Sequence, residues 1–276
     1  MASLPSSPTP YTFEIDRMPA SETKIEIRDL TMAYGSYVVM QNINAQVKRG
    51  SIFIIMGNSG SGKSTLLRHM LGLQLPSQGD VLYDGVSFWG MDDEARAIQL
   101  RKYGVLFQSG ALWSSMTLAE NVALPLVEYT DWPVSDQEDI ARLKLALVGL
   151  SGFEDYYPSE ISGGMRKRAG LARAMALDPE ILFFDEPSAG LDPISSRNLD
   201  RLILELRDSL GATVVVVTHE LASIFTIADD SIFLDADSRT MRVQGNPKDL
   251  LEHSADAKLK AFLTRGEYSA EATAQP

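Results

Sequence analysis

Short apolar runs punctuate the chain: Ile52-Phe53-Ile54-Ile55-Met56, Tyr103-Gly104-Val105-Leu106-Phe107, Ile181-Leu182-Phe183-Phe184 and Ala212-Thr213-Val214-Val215-Val216-Val217. Each is short for a helix and lacks the alternation of a strand with one wet face, so the pattern predicts strands buried on both sides, as in a parallel sheet. Lys24-Ile25-Glu26-Ile27-Arg28 and the Ile43, Ala45, Val47 series alternate instead, as half-buried strands do. Gly79–Gly85 reads as a short strand between turn signals, and Ser231–Gly245 as a hairpin. Helical signals fall between these runs. Leu66–Leu71 follows the first strand, Asp92–Arg101 is charged and helix-compatible, and from Leu112 to about Leu150 the β-rich pattern gives way to helix. A polar, proline-bearing break at Tyr129–Pro133 divides that stretch, and Asp139–Leu150 places Ile140, Leu143 and Leu147 on one face. Ser162 is a good N-cap for a further helix, with Met165, Ala169, Ala172, Met175 and Ala176 as its apolar side and Arg166, Lys167 and Arg168 on its polar side. The Ser-, Thr- and Pro-rich start and the small, polar end read as mobile tails.

Composition narrows the partners. A net charge of −12 argues against a nucleic-acid backbone, which needs basic surface. Cysteine is absent, which excludes disulfides and thiol chemistry. No apolar run approaches the ~20 residues of a membrane-spanning helix, and the start lacks the basic region and apolar core of a secretory signal. The expectation is a soluble protein that meets a membrane only through a partner.

The chemistry collects where the apolar runs end. Gly57-Asn58-Ser59-Gly60-Ser61-Gly62-Lys63-Ser64-Thr65 fits the phosphate-loop pattern G-x-x-x-x-G-K-[ST], with a strand before it and a helix after it. Its glycines permit turns that a Cβ would block, and loop and helix-start amides form a nest for anionic oxygens. Lys63 supplies positive charge for the β- and γ-phosphates, and Ser64 a hydroxyl for magnesium. Asp185 and Glu186 follow an apolar strand, where a carboxylate can hold magnesium and a second can take a proton from attacking water. Gln108 and His219 lie at the ends of two other strands, the side on which ligands bind in open parallel sheets. Gln108 could reach a metal-bound water, and His219 could bond the γ-phosphate or orient water. Tyr34, in a turn, could stack on a base or simply pack on the sheet. Ser162, Gly163 and Gly164 make a second anion-suited helix start, although for that segment alone a capped helix with a solvated basic face is the better reading.

Taken in order, these motifs resemble the ATP-binding cassette (ABC) ATPases from about Ile25 to Gly266. The most diagnostic stretch is Ile161-Ser162-Gly163-Gly164-Met165, similar to the family's signature motif with Ile for Leu and Met for Gln, followed by Ser188-Ala189-Gly190-Leu191-Asp192, similar to the loop that communicates across the dimer. The resemblance implies an α/β fold: a P-loop NTPase (RecA-like) core with an N-terminal antiparallel β subdomain and an inserted α-helical subdomain. The implied layout is a tail at 1–22, an ATPase domain at 23–266 with its helical part at about 112–177, and a tail at 267–276.

The same resemblance implies roles. Tyr34 would stack on adenine and residues 57–65 would hold ATP. Ser64, Gln108 and Asp185 would hold Mg2+, Glu186 would be the general base, and His219 the switch residue. Two chains would sandwich two ATPs head to tail, with Ser162, Gly163 and Gly164 of one capping the γ-phosphate gripped by Lys63 of the other. Phe107–Thr117, Glu120–Leu126 and the basic run after Ser-Gly-Gly-Met look like one branch, the ATPase subunits of MCE-type (mammalian-cell-entry) lipid transporters, including the maintenance-of-lipid-asymmetry system. That branch implies a homodimer at the cytoplasmic face of the inner membrane, a separate permease, and an MCE substrate-binding protein. The rival expectations are an importer ATPase for a polar solute such as an amino acid, and a soluble ABC protein without a permease.

Overall fold

The computed structural model describes residues 22–266; apart from Glu22, the segments expected to be tails lie outside the described residues. Two sheets organise it. The first is antiparallel, in the order β2-β1-β4-β5, and comprises β1 (Thr23–Tyr34), β2 (Tyr37–Lys48), β4 (Gln78–Tyr83) and β5 (Val86–Ser87). The second runs β10-β9-β3-β8-β7-β6 and comprises β3 (Ile52–Gly57), β6 (Tyr103–Leu106), β7 (Ile181–Asp185), β8 (Thr213–Val217), β9 (Asp230–Asp235) and β10 (Thr240–Gly245). From β6 to β9 its neighbours pair in parallel, and β10 closes the edge antiparallel.

The apolar runs are strands because both faces of the parallel sheet are covered. On β3, Ile52, Ile54 and Met56 pack into one core, while Phe53 and Ile55 pack into the other. Leu182 and Phe184 against Phe183, and Val214 and Val216 against Val215 and Val217, repeat that division. On one side lie the antiparallel sheet and α1 (Lys63–Met70). On the other lie α3 (Leu118–Tyr129), α4 (Val134–Leu147), α5 (Gly163–Ala174), α6 (Pro193–Leu210) and α7 (Leu221–Ile227). The remaining helices are α2 (Asp93–Leu100), α8 (Pro247–His253) and α9 (Ala257–Leu263). Among the described residues no helix is long and apolar enough to cross a membrane.

The expected apolar face of α4 holds for Ile140, which packs against the core, but not for its two leucines. Leu143 and Leu147 are 56% and 50% exposed, whereas Gln137, Ala141, Lys144 and Leu145 face inward. Lys144 is buried along its stem, and its ammonium meets Asp178 at 2.5 Å, so a charged position serves as core. Lys24 departs in the same way: it is 1% exposed and ion-paired to Asp84 and Glu180.

One close approach fixes how α5 meets the sheet. A Cβ at Gly104 on β6 would lie 2.1 Å from the Ala174 carbonyl oxygen and 2.7 Å from Leu182 Cδ2. Gly104→Ala is therefore expected to destabilise the fold by ~3 kcal/mol, lowering Tm by roughly 6–10 °C. An unchanged melting curve would show that α5 moves away freely.

Candidate active site

The parallel strands deliver their C-terminal ends to one rim, where a cavity of about 1080 Å³ opens. Tyr34, residues 58–65, Gln108, Glu186 and His219 all line it. The loop after β3 is shaped by its glycines. Gly57 has φ +153°, and a Cβ there would sit 2.5 Å from both the Leu234 carbonyl oxygen and Ser61 Oγ. Gly62 (φ +80°) precedes α1 in a left-handed conformation, wedged over Val39 and Met40. It offers no side-chain cap, so the first amides of α1 remain available to an anion.

Lys63, almost fully buried, turns its ammonium onto the loop, 3.0 Å from the Gly57 carbonyl oxygen and 3.1 Å from that of Asn58. Burial lowers its pKa, while the charges of Glu186 and Asp185 work against that shift. Ser64 Oγ donates to Asp185 Oδ1 at 3.1 Å, joining the start of α1 to the end of β7. A hydroxyl and a carboxylate at this spacing, beside phosphate oxygens, are what Mg2+ needs, since it keeps most of its waters and takes few protein ligands. Gln108 is exposed on the rim of the same cavity.

Glu186 sits just past β7 with φ +48°, an unusual backbone for a non-glycine residue. Its amide donates to the Val217 carbonyl at 2.9 Å, and its Oε1 lies 2.8 Å from His219 Nδ1. Its Oε2 and Ser61 Oγ are buried with no hydrogen-bond partner. Buried polar atoms left this way cost ~1–3 kcal/mol each. Two such atoms in residues lining one cavity, beside a glycine loop that a Cβ would fill, fit a triphosphate and its magnesium.

Ser162 caps α5, its Oγ accepting from the Met165 amide at 3.2 Å. Ser162 and Gly164 line a different cavity, about 340 Å³, with Met165, Arg168, Leu191 and Ser195. A Cβ at Gly163 or Gly164 would find nothing nearer than 3.7 Å, and neither has positive φ. Within one chain these glycines are not needed. The structure thus brings together Tyr34, residues 57–65, Gln108, Asp185, Glu186 and His219, and leaves Ser162, Gly163 and Gly164 at another place.

The basic run after the signature, on a solvated face in one reading of the sequence, is only partly so: Arg166 and Arg168 are half-buried and Lys167 is buried. Lys167 is 6% exposed and donates to the main-chain oxygens of Gln108 and Glu186. Arg166 bonds the Ile161 carbonyl at 2.7 Å, and Arg168 those of Val148 and Gly149. Sequence reasoning also missed the far wall of the large cavity, built by Tyr37, Phe233, Asp235, Lys258, Phe262 and Arg265. Tyr37 carries Arg239 over its ring at 5.0 Å. No motif marks these residues; the signal was only that β9 must sit beside β3.

Comparison with known proteins supplies the family. The ABC transporter family model matches residues 40–189. The intermembrane phospholipid transport system ATP-binding protein MlaF of Haemophilus influenzae is 40% identical over 243 residues, 88% of this chain and 91% of that protein. Its Escherichia coli K12 counterpart is 39% identical over 256 residues, 90% and 95%. A Mycobacterium leprae ATP-binding protein, mkl, named for ribonucleotide transport, is 40% identical over 249 residues, 90% of this chain and 70% of that protein. Among solved structures, cbiO1 of Clostridium perfringens, part of an ABC transporter complex, matches with TM-score 0.76 and 26% identity over 89% of this chain and 97% of its own. An ATP-binding cassette solved as a dimer after hydrolysis, with ADP and phosphate, matches with TM-score 0.71 and 29% identity over 80% and 98%.

Proposed function

The chain belongs to the ABC transporter family, and from that premise we propose that it is the ATPase subunit of a phospholipid transporter, acting as a homodimer against a separate membrane permease. It is an ATP-binding, ATP-hydrolysing transporter subunit; cargo and assembly are the proposal. The relatives divide over cargo. This chain spans 91–95% of the proteins named for phospholipid transport but 66–70% of those named for ribonucleotide transport. That end-to-end match is the observation that carries the lipid reading.

Each chain contributes to hydrolysis in two places. Lys63 and the loop amides bind the phosphates. Ser64, Asp185 and Gln108 would hold Mg2+, which when bound offsets charge on the phosphate oxygens. Glu186 takes the proton of the attacking water, and His219, 2.8 Å away, holds its carboxylate in place. Ser162, Gly163 and Gly164 close over the partner's nucleotide. Spare room at both glycines, and their separation from the large cavity of their own chain, support that arrangement. Binding closes the dimer, and loss of the γ-phosphate lets it reopen. The permease and an MCE-type substrate-binding protein would turn the cycle into transport at the cytoplasmic face of the membrane.

The test is to purify the chain with its membrane partners and to identify subunits and extracted small molecules by mass spectrometry. A permease, an MCE protein and bound phospholipid are expected. A tightly held polar solute on a binding protein, or no permease at all, would replace this reading with one of its rivals.

A further inference from the structure

The helix that begins at the signature is wired to the hydrolytic centre of its own chain. Three of its residues lie along one side of α5, and each touches the loop after β6. Lys167 donates to the Gln108 carbonyl. Gly170 is so close that a Cβ would meet the Gly110 carbonyl oxygen at 3.1 Å. Arg173 donates to the Ala111 and Gly110 carbonyls at 2.8 and 3.0 Å. Lys167 alone of the three also reaches Glu186, its Nζ 3.1 Å from the main-chain oxygen. That oxygen takes a second bond from the Ala189 amide at 3.2 Å, and the Glu186 amide is held by Val217. The peptide units on both sides of Glu186 are therefore pinned, at the residue whose φ of +48° needs holding.

We propose that Lys167 is a positioning residue for hydrolysis: its ammonium ties the signature helix, the Gln108 loop and the Glu186 main chain into one body. Closure of α5 over the partner's nucleotide is thereby felt at the general base of the same chain. This rests on the head-to-tail dimer, in which the signature end and the Glu186 centre of one chain serve different ATPs. A strut between them makes turnover at the two ATPs cooperative. A charge is suited to the task, because an ammonium makes stronger bonds to two carbonyls than a neutral donor. The position is also costly, because a buried ammonium gives up its water and must find its bonds within the protein.

The experiment uses the full chain in its purified transporter. Lys167→Met keeps the stem and removes the ammonium. Misplacing a catalytic group by ~1 Å costs on the order of 10²-fold, so kcat is expected to fall ~10-fold or more. ATP affinity should stay within about twofold, and the Hill coefficient for ATP should drop to about 1. A second variant keeps the test open if Lys167→Met folds poorly. This chain has no cysteine, so Lys167→Cys gives it a single thiol, which is alkylated in the separated, unfolded chain before refolding and reassembly because position 167 is buried. Aminoethylation of that thiol restores an ammonium at lysine length, and propylation fills the same volume without charge. Recovery of kcat by aminoethylation and not by propylation supports the proposal. Unchanged kcat and cooperativity in Lys167→Met, or equal recovery by both alkylations, overturns it. Failure of the dimer itself reads differently: the unmodified transporter would then show a Hill coefficient of 1, and Gly164→Glu would remain active.

Discussion

Glu186→Gln lowers kcat by about 10²-fold or more while leaving ATP affinity intact, because an amide of the same shape cannot take a proton. The replacement disturbs little else. Glu186 Oε1 meets His219 at 2.8 Å, a contact an amide can also make, and Oε2 has no protein partner to lose. The backbone, held through Val217, Ala189 and Lys167, is untouched by a change at the side-chain tip. Steady-state ATPase assays beside equilibrium nucleotide binding check this. Near-normal turnover would remove Glu186 from the mechanism.

Gly164→Glu should abolish hydrolysis and spare ATP binding by an isolated chain. The added Cβ meets nothing closer than 3.7 Å, and a carboxylate in the first turn of α5 favours the helix, so folding is not at risk. The large cavity with Lys63 does not include Gly164, so the chain's own phosphate site is unchanged. In the proposed dimer the carboxylate would meet the partner's γ-phosphate, where size and charge both oppose closure. Binding measured on dilute single chains, against hydrolysis in the assembled transporter, separates the two sites. Loss of single-chain binding would place Gly164 at its own chain's nucleotide and refute the shared arrangement.

Much of this was legible in the residues because it is written locally. A phosphate loop needs strand, glycines, lysine and helix in one contiguous stretch, and a doubly covered strand betrays itself by unbroken apolar residues. Gln108, Asp185 and His219 could be placed together because strands of one parallel sheet present the same ends to the same rim. What escaped was set by tertiary neighbours. Nothing around Leu143 and Leu147 says that α4 turns Ala141 and Leu145 inward instead, because both faces carry apolar residues. Lys167 sits among arginines in a run that looks solvated, and only the folded distances show that its ammonium meets two backbone carbonyls. Lys24 misled for the same reason, and Lys144 passed unnoticed: a long stem can be core while its tip finds a carboxylate. The wall made by Phe262 and Arg265 comes from α9 and the residues just after it, far from any nucleotide motif.

The most direct measurement is the solution mass of Glu186→Gln with and without Mg-ATP. Since that variant holds ATP without consuming it, the chain should double in mass when ATP is added, return to monomer when ATP is removed, and stay monomeric if Gly164→Glu is added to it. A mass that ignores ATP, or a dimer that forms equally well with the glutamate at position 164, would contradict the claim that two chains close over a triphosphate held by one and sealed by the other.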